Sequence, residues 1–149
     1  MADRQNVINA VDSFYEEIIE KYKDLERQVA NESRLRNIFK KVDYQARIGK
    51  FKELKKKAQN IDLKKIGIDK EDELAVQVRD KLGRSISLFV SIIDAQASCQ
   101  TILFKKSEGE KINTIDYKKA VYNVQKATEA LQNGLREMDA DYANLEEYE

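Results

Sequence analysis

Apolar side chains return every three or four residues from Ile8 onward: Ile8, Val11, Tyr15, Ile18, Tyr22, Leu25 and Val29. That spacing predicts a first helix over residues 3–31, with Val7, Phe14 and Ile19 widening the stripe enough to meet more than one neighbour. Its polar side carries Glu16, Glu17, Glu20 and Asp24. The phase is lost after Val29, where the apolar positions become Leu35, Ile38, Phe39 and Val42. A turn is therefore expected at "ANES", residues 30–33, with Ser33 capping a second helix over 34–60. Neither Gly nor Pro enforces that turn, so one long bent helix over 3–60, in a three-helix arrangement, is the alternative.

The second helix shifts its stripe midway to Tyr44, Ile48, Phe51, Leu54 and Ala58. "NIDLKKIGID", residues 60–69, predicts a connection, with Gly67 free to take a left-handed turn. Asp69 then opens a third helix, with Asp72 three positions on in a capping-box-like arrangement. That helix runs to about Lys106 and has two apolar stripes. One passes through Val78, Leu82, Ile86, Phe89, Ile93, Ala97, Gln100 and Phe104; the weaker passes through Leu88, Ile92, Ala95, Cys99 and Leu103. A helix apolar on two sides is central or shared with another subunit, and the weaker stripe is the expected homodimer contact. The fourth helix, from Asn113 or Thr114, has the most regular seam: Tyr117, Val121, Val124, Thr128, Leu131, Leu135, Met138, Tyr142 and Leu145, alternating by four and three. The fold expected is all-α, an elongated antiparallel four-helix bundle forming one domain over 1–149.

Composition agrees. There is no Pro or Trp among 149 residues, and 36% are charged. Cys99 is the only cysteine, so an intrachain disulfide and a cysteine-rich zinc cluster are excluded, and a reducing cytoplasm is the expected setting. "MADRQNVINAVDSF" lacks the apolar core of a secretion signal. Residues 85–104 have the length of a membrane span, but a central Asp such as Asp94 costs about 2.5 to 3.5 kcal/mol in hydrocarbon, so a buried helix is expected instead.

Charge changes the picture more. From 34 to 65 there are twelve Lys and Arg against Asp43, Glu53 and Asp62, a surplus of nine, although the whole chain has a formal net charge of zero. The candidate face for a polyanion or an acidic partner comprises Lys40, Lys41, Arg47, Lys50, Lys52, Lys55, Lys56 and Lys57. Four readings stand: internal balance by acids of the first and fourth helices, contact with another protein, sequence-tolerant contact with nucleic-acid phosphates, or contact with anionic lipid. Only Tyr44 and Phe51 interleave the bases, and no nucleic-acid-binding motif is present.

Candidate chemistry is reached mostly by exclusion. The chain has no histidine, which removes the usual di-iron bundle, Ser-His-Asp and Cys-His sites and histidine-ligated haem. No G-x-x-x-x-G-K-[ST] loop is present. No cofactor, metal site or catalytic activity is expected. Asp94 is the candidate buried polar site, needing an ion pair, a hydrogen bond or a proton if it lies inside. Gly49, Gly83 and Gly134 fall within helical pattern, each costing about 1 kcal/mol relative to Ala, which calls for a close helix approach, a kink or a ligand resting on bare backbone. The leading expectation is a small cytoplasmic interaction or scaffold protein. The alternative is a nucleic-acid binder using 34–65, and a ligand-binding bundle with a pocket near Asp94 is a third.

Overall fold

The structure is a computed structural model and describes residues 2–35 and 42–147. Helix α1 begins with an α-helical stretch, Ala2–Phe14, passes through a π-helical turn, Tyr15–Ile19, and continues as Glu20–Leu35. Helix α2 is Tyr44–Gln59, a 3₁₀ turn covers Leu63–Lys65, α3 is Glu73–Ser107 and α4 is Thr114–Glu147. Among the described residues there is no strand, and the fold is an all-α bundle of four helices.

Side-chain pairs give the directions. Arg4 meets Asp72 just before α3, and Tyr22 meets Gln96 further along it, so α1 and α3 run parallel. Arg47 and Lys55 of α2 reach Gln100 and Asp94, so α2 runs antiparallel to α3. Lys81 and Arg84 reach Asp141 and Glu137, so α4 does too. The order is up-down-up-down, with α3, about 50 Å long, touching the other three helices. Among the described residues α3 alone is long and apolar enough to cross a membrane by length and composition; here Val78, Leu82, Phe89, Ile92 and Ile93 on it are buried inside the bundle.

The first helix outlasts its expected end. It runs through "ANES" to Leu35, so Ser33 is not an N-cap. The π-helical turn lies within the stripe, and Phe14, Ile18, Ile19 and Tyr22 around it are all buried. Asp43 caps the second helix by accepting a hydrogen bond from the Ala46 N–H at 2.9 Å. Residues 42 and 43 are not helical, which excludes the unbroken 3–60 helix. Ile38 and Phe39 of the expected second stripe lie outside the described residues.

The third helix starts later than expected. Asp69 forms a turn by accepting from the Glu71 N–H, and Asp72 is the N-cap, accepting from the Ala75 N–H. Gly67 is not left-handed. That conformation occurs at Gly109 (φ 85°), where the Gly109 and Glu110 N–H groups donate back to Lys106 and Lys105 and close α3.

The most extensive helix contact is α3 on α4. Ala120, Ala127 and Gly134 recur every seven residues on α4 and let the two backbones approach. A Cβ on Gly134 would lie 2.6 Å from Leu88 Cδ1, so close approach explains this glycine. The core gathers Val7, Val11 and Phe14 of α1, Phe51 and Ala58 of α2, Leu82, Phe89 and Ile93 of α3, and Met138 and Leu145 of α4. Phe89 stands edge-on to both Phe14 and Tyr22.

Candidate interaction face

Helix α2 is built so that its lysines point outward. Arg47, Phe51, Leu54 and Ala58, spaced by four, three and four, form the buried stripe. Lys50, Lys52, Lys56 and Lys57 are then left on the exposed surface, and Lys64 and Lys65 extend it into the 3₁₀ turn. Lys52 and Lys56 sit one turn apart, about 6 Å along the axis. Gly49 shares this outer side and meets nothing within 4 Å. Lys56 and Lys57 also lie in the last turn of α2, where cations complement the helix dipole.

Two of the expected bases belong elsewhere. Arg47 is 4% exposed. Its guanidinium donates to Glu32 Oε2 at 2.8 and 3.1 Å, to Gln100 Oε1 at 3.2 Å and to the Val29 carbonyl at 3.4 Å, and it lies over the Tyr44 ring. It is a buried node tying α1, α2 and α3, not part of a surface, because its position falls on the Phe51 side of the helix. The Arg47 guanidinium holds the Glu32 carboxyl below the usual carboxylate range, with a smaller contribution from Lys50. Lys55, on the flank, donates to Asp94 Oδ1 at 2.8 Å. Lys40 and Lys41 lie outside the described residues.

Asp94 is not buried. Its side chain is 58% exposed, because one position past Ile93 it turns out of the core towards α2, where Lys55 satisfies it. It borders an open groove of about 760 Å³ between α3 and α4 that is also lined by Ser91, Ala95, Ser98, Asp116 and Asn123. No histidine or cysteine lines this groove, and among the described residues no cluster of three metal-ligating side chains forms.

The weaker stripe of α3 is faced by α4 of the same chain. Leu88 packs at Gly134, Ile92 and Cys99 are buried, and Ala95 lines the groove opposite Ala120 and Ala127. Leu103 lies in a crevice with Tyr44 and Tyr117. The small residues of α4 draw it over positions that the sequence leaves open to a second copy. Burial also raises the Cys99 thiol above its ordinary range.

Several acids of the other helices are engaged at other places. Asp72 takes both Arg4 nitrogens, at 2.7 and 3.1 Å, and this keeps its carboxyl below the usual range. Glu137 and Asp141 face Arg84 and Lys81, and Asp139 and Asp12 accept from the Tyr15 and Tyr142 hydroxyls. Among the described residues Lys50, Lys52, Lys56, Lys57, Lys64 and Lys65 make no ion pair, although Lys50 lies near Glu32. Only Glu53 and Asp62 share the segment with them, and Asp62 accepts from the Lys64 N–H. The reciprocal Tyr–Asp pairs between α1 and α4 have no spacing signature, since 124 and 130 residues separate their partners. No family model matches the chain, and no curated protein or solved structure matches it either.

Proposed function

We propose that this chain is a non-catalytic cytoplasmic interaction module, and that the lysine ridge of α2 and the 3₁₀ turn receives an acidic surface of another protein. The observation that carries the reading is the set of six exposed lysines without an ion pair among the described residues, with only Glu53 and Asp62 interspersed among them. Exposed charges of this kind set partner choice and association rate more than affinity, which suits an adaptor surface. A protein partner is favoured over nucleic acid for two reasons. The chain has no net charge to draw a polyanion from a distance, and Tyr44 and Phe51 lie against Arg47 and in the core, leaving no aromatic on the ridge to stack a base.

The test is affinity capture with the intact chain and with a Lys52→Glu, Lys56→Glu, Lys57→Glu variant, whose altered positions are exposed and leave the core alone. Partners lost from the variant should share acidic segments; an identical set of partners would remove the ridge from the function. Oligonucleotide anisotropy in parallel separates the alternative. Micromolar binding that falls by two to three orders of magnitude between about 50 and 200 mM salt would reassign the ridge to phosphates.

A further inference from the structure

The chain carries its own complement to the lysine ridge. The net surplus of nine positive charges over 34–65 is offset by a deficit of nine in the rest of the sequence, and the fold gathers part of that deficit at one corner. Residues 5–20 and 137–147 contain no Lys or Arg. They are far apart in sequence, but Tyr15 donating to Asp139 and Tyr142 donating to Asp12 hold them side by side on α1 and α4. Asp12, Glu16, Glu17 and Glu20 of α1 and Asp139 and Glu146 of α4 are exposed there and make no ion pair among the described residues. Lys21 and Arg136 border the corner, while Lys81 and Arg84 are turned to Asp141 and Glu137 on the α3 side of α4.

Ridge and corner cannot meet within one chain. The ridge is the side of α2 opposite its buried stripe, Phe51 of that stripe meets Tyr22 of α1, and α3 lies between α2 and α4. A formal net charge of zero also leaves no overall repulsion to hold copies apart. Resting on the reading of the ridge as a receiver of acidic surfaces, we infer that the surface it receives is the α1–α4 corner of a second copy of this chain. Because the two surfaces differ, the contact is head-to-tail, and each added copy presents a fresh ridge and a fresh corner. Opposed patches of exposed charge give a contact that forms fast, holds weakly and is screened by salt. The chain is then a unit of a concentration-dependent assembly rather than half of a fixed dimer.

The experiment is sedimentation velocity of the intact chain at rising concentration in about 20 and about 300 mM salt, between which the screening length falls from about 20 Å to about 6 Å. At low salt the weight-average mass should climb above the 17.3 kDa of one chain, and at high salt it should return to that value. A Lys52→Gln, Lys56→Gln, Lys57→Gln chain and a Glu16→Gln, Glu17→Gln, Glu20→Gln chain alter exposed positions only. Each should self-associate at least about tenfold more weakly, the loss of two or three screened pairs. Mixed in equal amounts, the two should form a complex of two chains and nothing larger, because the mixture holds one intact ridge for each intact corner. Three results would overturn the inference: a single chain at every low-salt concentration, assembly indifferent to salt or to either set of substitutions, or no complex in the mixture. Affinity capture separates this from the reading on which it rests. Acidic partners lost with the ridge lysines, from a chain that stays single at low salt, would strike out the second copy and leave the ridge in place.

Discussion

The two ends of the bundle use one sequence pattern to different effect. At one end α1, α3 and α4 close over Phe14, Phe89, Met138 and Leu145, all fully buried. At the other, where α4 begins, its seam meets α3 but not α1, and Ile115 and Tyr122 stand in solvent. The apolar period is as regular in the open half as in the closed one. Regularity therefore reports that a helix has a face to cover, while the course of the neighbouring helix decides whether it is covered. Here Tyr15 of α1 still meets Asp139 of α4, whereas Tyr22, further along α1, meets Phe51 of α2.

The largest effect that would sharpen this contrast is in the core. Phe89→Ala removes the ring between Phe14 and Tyr22 and should cost about 3 to 5 kcal/mol, whereas Val124→Ala, half-buried in the open half, should cost less than about 1 kcal/mol. Urea denaturation at neutral pH measures both. Equal losses would mean that the open half is as tightly packed as the closed one.

How much of this is legible in the sequence depends on what each residue's placement requires. The fourth helix and its seam can be read directly, because a three-four alternation has one interpretation. The end of the first helix cannot, because the apolar stripe loses phase after Val29 while the helix itself continues to Leu35; "ANES" therefore resembles a boundary while remaining inside α1. Arg47 is similar. In a run of bases it reads as surface, and only Glu32 and Gln100, from two other helices, make its burial tolerable. The outward position of the other lysines was legible, since Phe51, Leu54 and Ala58 fix which side of α2 faces inward. Which acids would be near them was not, because that depends on tertiary contacts.

A smaller effect comes from the polar clasps at the two ends. Asp72 joins the start of α1 to that of α3 through Arg4 and caps α3 as well; Glu32 joins α1 to α2 through Arg47. Both carboxyls are held below their ordinary values. A carboxyl depressed in the folded state stabilises fully above its unfolded pKa, about 4, and loses that contribution as pH falls through the folded value. Stability should therefore be flat from neutrality to about pH 5 and decline below about pH 4. Asp72→Ala should cost about 1 to 2 kcal/mol at pH 7, chiefly through the lost cap, and should flatten the acid decline. An unchanged acid limb in Asp72→Ala would place the proton uptake at other groups.

The smallest effect separates two glycines that sequence treats alike. Both Gly49 and Gly134 lie inside helices and leave about 1 kcal/mol of helix propensity unused relative to Ala. On Gly49 a methyl group meets nothing within 4 Å, so Gly49→Ala should stabilise by up to about 1 kcal/mol. On Gly134 the same methyl would come within 2.6 Å of Leu88 Cδ1, and moving Leu88 disturbs the close α3–α4 contact. Overpacking costs about 1 to 3 kcal/mol, which offsets or exceeds the propensity gain, so Gly134→Ala should be neutral to destabilising. Opposite shifts in melting temperature would show that α3 and α4 meet through a glycine while the outer side of α2 is free backbone. A gain at both positions would mean that Leu88 yields easily and that the α3–α4 contact is looser than the core beside it.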